Sequence, residues 1–305
     1  MFELRILAGL YVLFVLFRLT GIDGNRYAAS LLALTPYFVP AGLVLGGLSL
    51  GFGLFVAGTG VLVSTVVLGA LIAPRIIPSR QPARSGPRLR VLASNLYLGR
   101  GDVKTVVELV RELDVDVLNL VELTAEAADD LNRAGLSELL PHQVFQLAEA
   151  GRGSGLASRH PLVELDLAGP ALLQQPSARI DLGAGTVEVL ACHPVPPTGE
   201  PAAWKSEIGG LPAAPSDGPI RILAGDFNGT LDHGTFRRLL RSGYRDAAAA
   251  RGAGLRPTWP TSGFWPPVTI DHVLVDRRAA IVGYRVLDVP NSDHRAVFAE
   301  LVLPG

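Results

Sequence analysis

Hydrophobic residues are distributed along this chain in two different ways. From Tyr27 to Ala73 the sequence runs for 47 residues without an Asp, Glu, Lys, Arg or His, and upstream Leu4 to Leu19 is apolar apart from Arg5 and Arg18. About 20 residues of helix cross a ~30 Å hydrocarbon core, so a single helix of about 70 Å is too long for one crossing. The glycines at Gly46, Gly47, Gly51 and Gly53 mark the place to turn. The pattern predicts an all-α membrane region over residues 1–74 with three helices, at 4–20, 27–46 and 50–73. The stems of Arg5 and Arg18 can snorkel to the interfaces. No small-residue cleavage site precedes Gly21, which argues against a removed signal peptide.

Past a Pro/Arg-rich linker at 75–87 the pattern changes to short apolar runs broken by polar turns. Arg88–Leu96, Val115–Val121, Gly155–Ser158, Val163–Leu167, Ala178–Leu182, Val187–Cys192 and Ile220–Ala224 read as strands, as do Ile270–Val275, Ile281–Leu287 and Ala296–Leu301. A helix capped by Asp102 presents Val103, Val106, Val107, Val110 and Leu113 on one side; others fall at 124–133, 200–210 and 234–241. Many strands with few helices between them predict an α+β domain with two packed sheets over 88–305.

The formal net charge of -1 conceals the same division. Residues 91–305 carry 17 Arg and 2 Lys against 26 acids, a net −7, while the first 90 carry eight Arg against Glu3 and Asp23. Such an acidic domain disfavours nucleic acid, whose binding rests on Lys and Arg neutralising phosphates. A single cysteine, Cys192, excludes an internal disulfide. Three spans would put Arg18, Arg26, Arg75, Arg80 and Arg84 on the catalytic side, against Arg5 on the other, and the positive-inside rule then points to the cytoplasm.

Metal-capable polar residues end the strand-like runs: Asn95, Glu122, His193, Asp226 with Asn228, Asp271 with His272, and Asp293 with His294. One strand-end acid is commonly a cap or a turn residue; six such positions in succession point to loops converging on one site. The most specific pieces are Gly225-Asp-Phe-Asn228, Ser292-Asp-His294 and Ile270-Asp-His272, with Gly153-Ser-Gly-Leu-Ala-Ser-Arg159 before the central histidine.

On these motifs, over residues 88–303, the chain resembles the endonuclease/exonuclease/phosphatase superfamily, and with its apolar helices the membrane-anchored actinobacterial branch of it. The resemblance implies a four-layer α/β sandwich, two mixed sheets flanked by helices, and a Mg²⁺-dependent hydrolase, with Mn²⁺ as the alternative ion. It further implies Glu122 as the main metal ligand, with Asn95 beside it and Asp293 as a further ligand. Asp226 would orient or deprotonate the attacking water, and Asn228 would hold a phosphoryl oxygen. His294, oriented by Asp271, would meet the phosphate as a cation, and His193 would stabilise the pentacoordinate species or assist the leaving oxygen. Arg152 and Arg179 are candidates for binding substrate phosphate; His272 reads as a buttress of the sheet. Trp259, Phe264 and Trp265 lie in a Pro-rich loop suited either to a lipid or to local packing. Cys192 and Val121 stand where relatives often have threonine and glutamine; neither change removes a required group.

The expected function is therefore hydrolysis of a phosphate ester or pyrophosphate. The anchor points to membrane lipids as partners and to a lipid-linked substrate, and the resemblance implies that this is a cell-envelope intermediate. The resemblance places the domain outside the cytoplasm, against the arginine count. A nuclease, a phospholipid or sphingolipid phosphodiesterase, and a non-enzymatic membrane-binding module are the alternatives.

Overall fold

The computed structural model describes residues 1–183 and 185–305. Four helices come first: α1 (Phe2–Thr20), α2 (Arg26–Ala33), α3 (Thr35–Gly51) and α4 (Phe55–Ile72). α1, α3 and α4 pack around Tyr11, Phe14, Val61 and Leu68. The Tyr11 hydroxyl bonds Thr65 Oγ1 at 2.8 Å and donates to the Phe38 carbonyl at 2.9 Å. A Cβ at Gly46 would strike Leu62 and one at Gly58 would strike Leu50, so these glycines let α3 and α4 approach closely.

The single helix expected over 27–46 is two, bent by 66° where α2 meets α3. Pro36 has no N–H for the Leu32 carbonyl, and the Thr35 hydroxyl takes that carbonyl instead at 2.6 Å. Among the described residues, Phe55–Arg75 is the one helix long and apolar enough to cross a membrane; counting the bent pair as one span gives two. α1 carries Glu3, Arg5 and Arg18 within its 19 residues.

Among the described residues the domain contains twelve strands: β1 (Arg88–Asn95), β2 (Val117–Val121), β3 (His142–Gln146), β4 (Ser154–Ser158), β5 (Leu162–Leu165), β6 (Ser177–Asp181), β7 (Thr186–Cys192), β8 (Ile220–Asp226), β9 (Tyr244–Asp246), β10 (Asp271–Asp276), β11 (Ala280–Asp288) and β12 (Arg295–Val302). Its helices are α5 (Val103–Glu112), α6 (Ala125–Arg133), α7 (Leu136–Leu139), α8 (Pro201–Gly210), α9 (Gly234–Arg241) and α10 (Ala247–Ala250). One sheet has the order β11-β12-β1-β2-β4-β3 and the other β5-β6-β7-β8-β10-β9.

Alternation along the central strands builds the layers. Leu89, Val91 and Ala93 of β1 face Val187, Val189 and Ala191 of β7 and Ile220, Ile222 and Ala224 of β8 between the sheets. The opposite face of β1 and β2, with Leu92, Leu118 and Leu120, meets Val106, Val107 and Val110 of α5 and Leu131 of α6. On the far side Leu190 and Leu223 meet Trp204 of α8 and Phe236 of α9. This is the expected helix–sheet–sheet–helix order. Buried Asn119 crosses the middle, donating from Nδ2 to the Leu190 and Ala224 carbonyls of the other sheet.

Residues 76–87, between α4 and β1, form no regular element but are tied down: Ser79 N donates to Ala250 O, Gly86 N to Leu303 O, and Ile281 N to Gln81 Oε1. The helical region is fastened to the domain at one seam. Arg18, near the end of α1, and Arg75, after α4, both bind Asp232, with Nε–Oδ1 at 2.9 Å and Nη1–Oδ2 at 2.6 Å respectively. Asp23 accepts from Thr235 N at 2.6 Å and from the Thr235 hydroxyl at 2.9 Å, capping the first turn of α9 from outside the domain. His233 Nε2 contacts the Ala29 carbonyl of α2 at 3.0 Å.

Candidate active site

Strand direction gathers the polar strand ends. β1 and β2 run parallel in one sheet and β7 and β8 run parallel in the other, so each pair delivers its C-terminal residues to one edge. β10 runs antiparallel to β8 with Asp271 opposite Asp226, and β12 runs antiparallel to β1, so the beginnings of these strands arrive at that same edge. Asp226 can follow Gly225 because β8 comes very close to β7 there. Gly225 has φ 144, and a Cβ would collide with the Cys192 carbonyl.

The side chains meet around a cleft of about 500 Å³ lined by Glu122, His193, Asp226, Asn228, Asp293 and His294, with Tyr97, Leu98, Gly151 and Trp259. Asn95 and Asp271 stand directly behind. Asn95 Nδ2 donates to Glu122 Oε1 at 3.0 Å and to Asp226 Oδ2 at 3.2 Å. Leu98 N donates to Glu122 Oε2 at 2.7 Å. Glu122, Tyr97 and Leu98 all have positive φ (56, 46 and 57), a strained backbone of the kind found at functional sites. Asn228, at φ 48, donates its N–H to Asp226 Oδ1 at 2.7 Å and its amide to the Pro194 carbonyl at 3.0 Å.

His294 Nδ1 lies 2.9 Å from Asp271 Oδ2, while Nε2 lies 3.7 Å from Asp226 and 3.9 Å from Asp293. Burial opposes its charge, but Asp271 and Asp226 overcome this and raise its pKa to about 10, so it is a cation at neutral pH. His193 has the opposite environment: burial, then repulsion from His294, lowers it to about 3, so it is neutral. Asp226 is pushed upward by burial and by the negative charge of Asp271 and Glu122, against the pull of His294.

The donor atoms of Asp226, Asp271 and His294 lie within 4.8 Å of one another. This trio differs from the ligand set Asn95, Glu122 and Asp293 that the resemblance implied, and its chemistry differs too. An imidazolium cannot offer a lone pair to a cation, and His294 is instead hydrogen-bonded to Asp271, with Asp226 3.7 Å from its other nitrogen. Hard oxygen donors for Mg²⁺ are available from Glu122, Asp293 and Asn95. The fit is supported by Asp293 Oδ1, which is buried without a hydrogen-bond partner among the described residues.

Two sequence candidates lie elsewhere. Arg179 sits on β6 with its guanidinium on Glu188 at 3.0 Å, because Glu188 is the buried acid that Arg179 and Arg221 share. Arg152 follows Gly151 at the rim, but its guanidinium donates to the Leu172 carbonyl at 2.9 Å. Neither lines the cleft. His272 is a buttress, fully buried between Asp246 Oδ2 at 2.8 Å and the Gly229 carbonyl at 2.9 Å.

Sequence reasoning missed the supports. Gln175 Oε1 accepts from His193 N, the Thr258 hydroxyl accepts from Ile270 N and Asp271 N, and the Ser292 hydroxyl donates to Asn95 O. Trp259, read as lipid contact or packing, donates its indole N–H to Asp293 Oδ2 at 3.0 Å. It also missed one wall of the cleft, formed by Ala29, Ser30 and Ala33 of α2.

Solved structures share this fold. An endonuclease/exonuclease/phosphatase from Beutenbergia cavernae DSM 12333 is 20% identical over 72% of this chain and 72% of its own, with a TM-score of 0.53. A family protein from Leptotrichia buccalis C-1013-b is 14% identical over 70% of this chain and 99% of its own, with a TM-score of 0.52. D. rerio TDP2, complexed with single strand DNA product, is 14% identical over 70% of this chain and 98% of its own, with a TM-score of 0.53. No curated protein matches the sequence. The model of the Endonuclease/Exonuclease/phosphatase family matches residues 92–294, from β1 through His294. The chain belongs to that family and is a hydrolase of phosphate ester bonds of the metal-dependent kind.

Proposed function

We propose that the protein is a membrane-anchored, Mg²⁺-dependent phosphoesterase acting on the phosphate ester or pyrophosphate of a lipid-linked cell-envelope substrate. One observation carries the reading: α2, in the apolar N-terminal region, forms a wall of the catalytic cleft through Ala29, Ser30 and Ala33. The site therefore opens beside the helices, where a lipid-borne phosphate would arrive. Phe264 and Trp265, both exposed, sit on the Trp259–Val268 loop, whose Pro267 carbonyl is held by the Tyr37 hydroxyl of α3 at 2.7 Å. Exposed aromatics beside apolar helices suit a bilayer interface.

The metal, held by Glu122, Asp293 and Asn95, would supply positive charge to a phosphoryl oxygen. Asp226, with its raised pKa, accepts the proton of the attacking water as the new P–O bond forms. Cationic His294, held by Asp271, neutralises charge on the phosphoryl group, and Asn228 holds another of its oxygens. Neutral His193 donates a hydrogen bond toward the leaving oxygen as its bond to phosphorus breaks.

We place the domain outside the cytoplasm, following the membrane branch it resembles. Two of the arginines counted against this, Arg18 and Arg75, have a structural role on Asp232.

A nuclease is the second reading, because a similarly folded neighbour is seen with single strand DNA product. The domain's net −7 works against it. The test is phosphate release by the detergent-solubilised full chain with Mg²⁺, comparing polyprenyl pyrophosphate, a phospholipid, a soluble monoester and duplex DNA. Faster turnover of the lipid-linked substrate is expected; rapid cutting of DNA with every lipid intact would overturn the reading.

A further inference from the structure

A second cavity, of about 490 Å³, opens where the ends of α1 and α4 meet the α9–β9 corner. Arg18, Arg75, Arg237, Arg245 and Arg277 line it, and the one acid in its lining is Asp246. Asp246 is engaged with His272, and Asp232 serves both Arg18 and Arg75. Arg237 donates to the Asp232 carbonyl, and Arg277 donates to the Tyr244 and Leu240 carbonyls; neither has a carboxylate partner among the described residues. Arg245 Nη1 is buried and has no partner among the described residues.

Arg18 and Arg75 share the single charge of Asp232, and Arg237, Arg245 and Arg277 have no carboxylate partner among the described residues, so the cluster keeps an excess of positive charge that an anion would offset. Phosphate suits several guanidiniums at once, since each offers a fork of donors. The cavity rim also carries Leu19 and Leu71, 50% and 38% exposed, at the ends of the two apolar helices. A free anion would have no use for that rim, whereas an acyl chain would lie along it.

We propose that this cavity binds the phosphate head group of an anionic phospholipid, separately from the catalytic cleft. The proposal rests on the membrane reading above. Because Arg18 and Arg75 belong both to the cavity and to the seam, a bound head group stabilises the docked arrangement.

The test is thermal unfolding of the full chain in neutral detergent with added phosphatidylglycerol, phosphatidylcholine or inorganic phosphate. Phosphatidylglycerol at about 100-fold over its Kd should raise Tm by roughly 3–6 °C, as linkage to the folded state requires. Phosphatidylcholine and inorganic phosphate should not. Arg245→Gln, alone and with Arg277→Ala, should at least halve the shift while phosphoesterase turnover stays unchanged. Arg245→Gln removes no side-chain hydrogen bond found among the described residues, so it keeps the proposal testable if the double variant unfolds. An equal shift with inorganic phosphate means a free-anion site, and an equal shift with phosphatidylcholine or in Arg245→Gln means no such site; each overturns the proposal. Carbonate extraction of membranes separates the two ideas. Release of the chain defeats the membrane reading, whereas retention without any phosphatidylglycerol shift defeats the head-group site alone.

Discussion

Two buried charge clusters lie six residues apart in sequence and are built on opposite plans. At the seam, Asp232 has both oxygens bound by Arg18 and Arg75, so all its capacity goes into holding two parts of the chain together. At the cleft, Asp226, Asp271 and Asp293 crowd around one cationic imidazole, Glu122 stands beside the neutral His193, and Asp293 Oδ1 and His193 Nδ1 lack partners among the described residues. The satisfied cluster acts as a fastener. The under-neutralised one has charge left over for a metal and a phosphate. Burial is common to both; saturation is what separates structure from chemistry.

The comparison breaks first if the cleft residues prove to be structural. Glu122→Ala and Asp226→Ala should each lower turnover by about 10²-fold or more, the usual scale for removing acid–base or electrostatic assistance. Melting temperature should barely move or should rise, because each change relieves repulsion among acids. Near-wild-type turnover in either variant, or collapse of the fold, would place the cleft in the same class as the seam.

The seam should give the reverse result. Asp232→Ala leaves two buried guanidiniums without their carboxylate, a loss on the order of 3–5 kcal/mol. It should show as a lower Tm and as protease access to residues 76–87, while a soluble monoester is still turned over slowly. Acid provides a gentler version. Burial would raise the Asp232 pKa, but Arg75 and Arg18 more than compensate and hold it below the ordinary 3.8. A depressed folded pKa gives stability that is complete above the unfolded value and is lost as pH falls through the folded one. Docking should therefore persist down to about pH 4 and loosen only below it. Loosening between pH 5 and 7 would show that another group controls the seam.

These clusters were unequally legible in sequence. Asn95, Glu122, His193, Asp226, Asp271 and Asp293 each end or adjoin an apolar run, and a period of two residues shows where such runs stop. The seam has no local signature, since Arg18 and Asp232 are 214 residues apart. Proximity to span ends made Arg18 and Arg75 look like snorkelling or topological charges. The break at Leu34 was written in Thr35-Pro36, but a long apolar run hid it. β3 was overlooked because this edge strand is half-buried along its whole length, so burial does not alternate from one residue to the next. Arg152 and Arg179 misled because sequence shows a charge without the carboxylate or carbonyl that engages it.

The finest distinction between the clusters is Asp293, one oxygen of which is held and the other free. Trp259 Nε1 donates to Oδ2 at 3.0 Å, leaving Oδ1 without a partner among the described residues. Trp259→Phe keeps the aromatic packing near His294 and removes that one donor. A hydrogen bond to a charged acceptor contributes about 1.5–3 kcal/mol, less here because the Asp293 side chain is 31% exposed and water can substitute. Turnover at saturating Mg²⁺ should fall about 3- to 10-fold or less, and the Mg²⁺ concentration for half activity should rise. The second readout is the informative one. If Asp293 is a metal ligand, freeing its carboxylate weakens capture of the ion before it impairs chemistry. A variant with slower turnover but unchanged Mg²⁺ dependence would instead make Trp259 a wall of the substrate pocket, and would remove Asp293 from the ligand set.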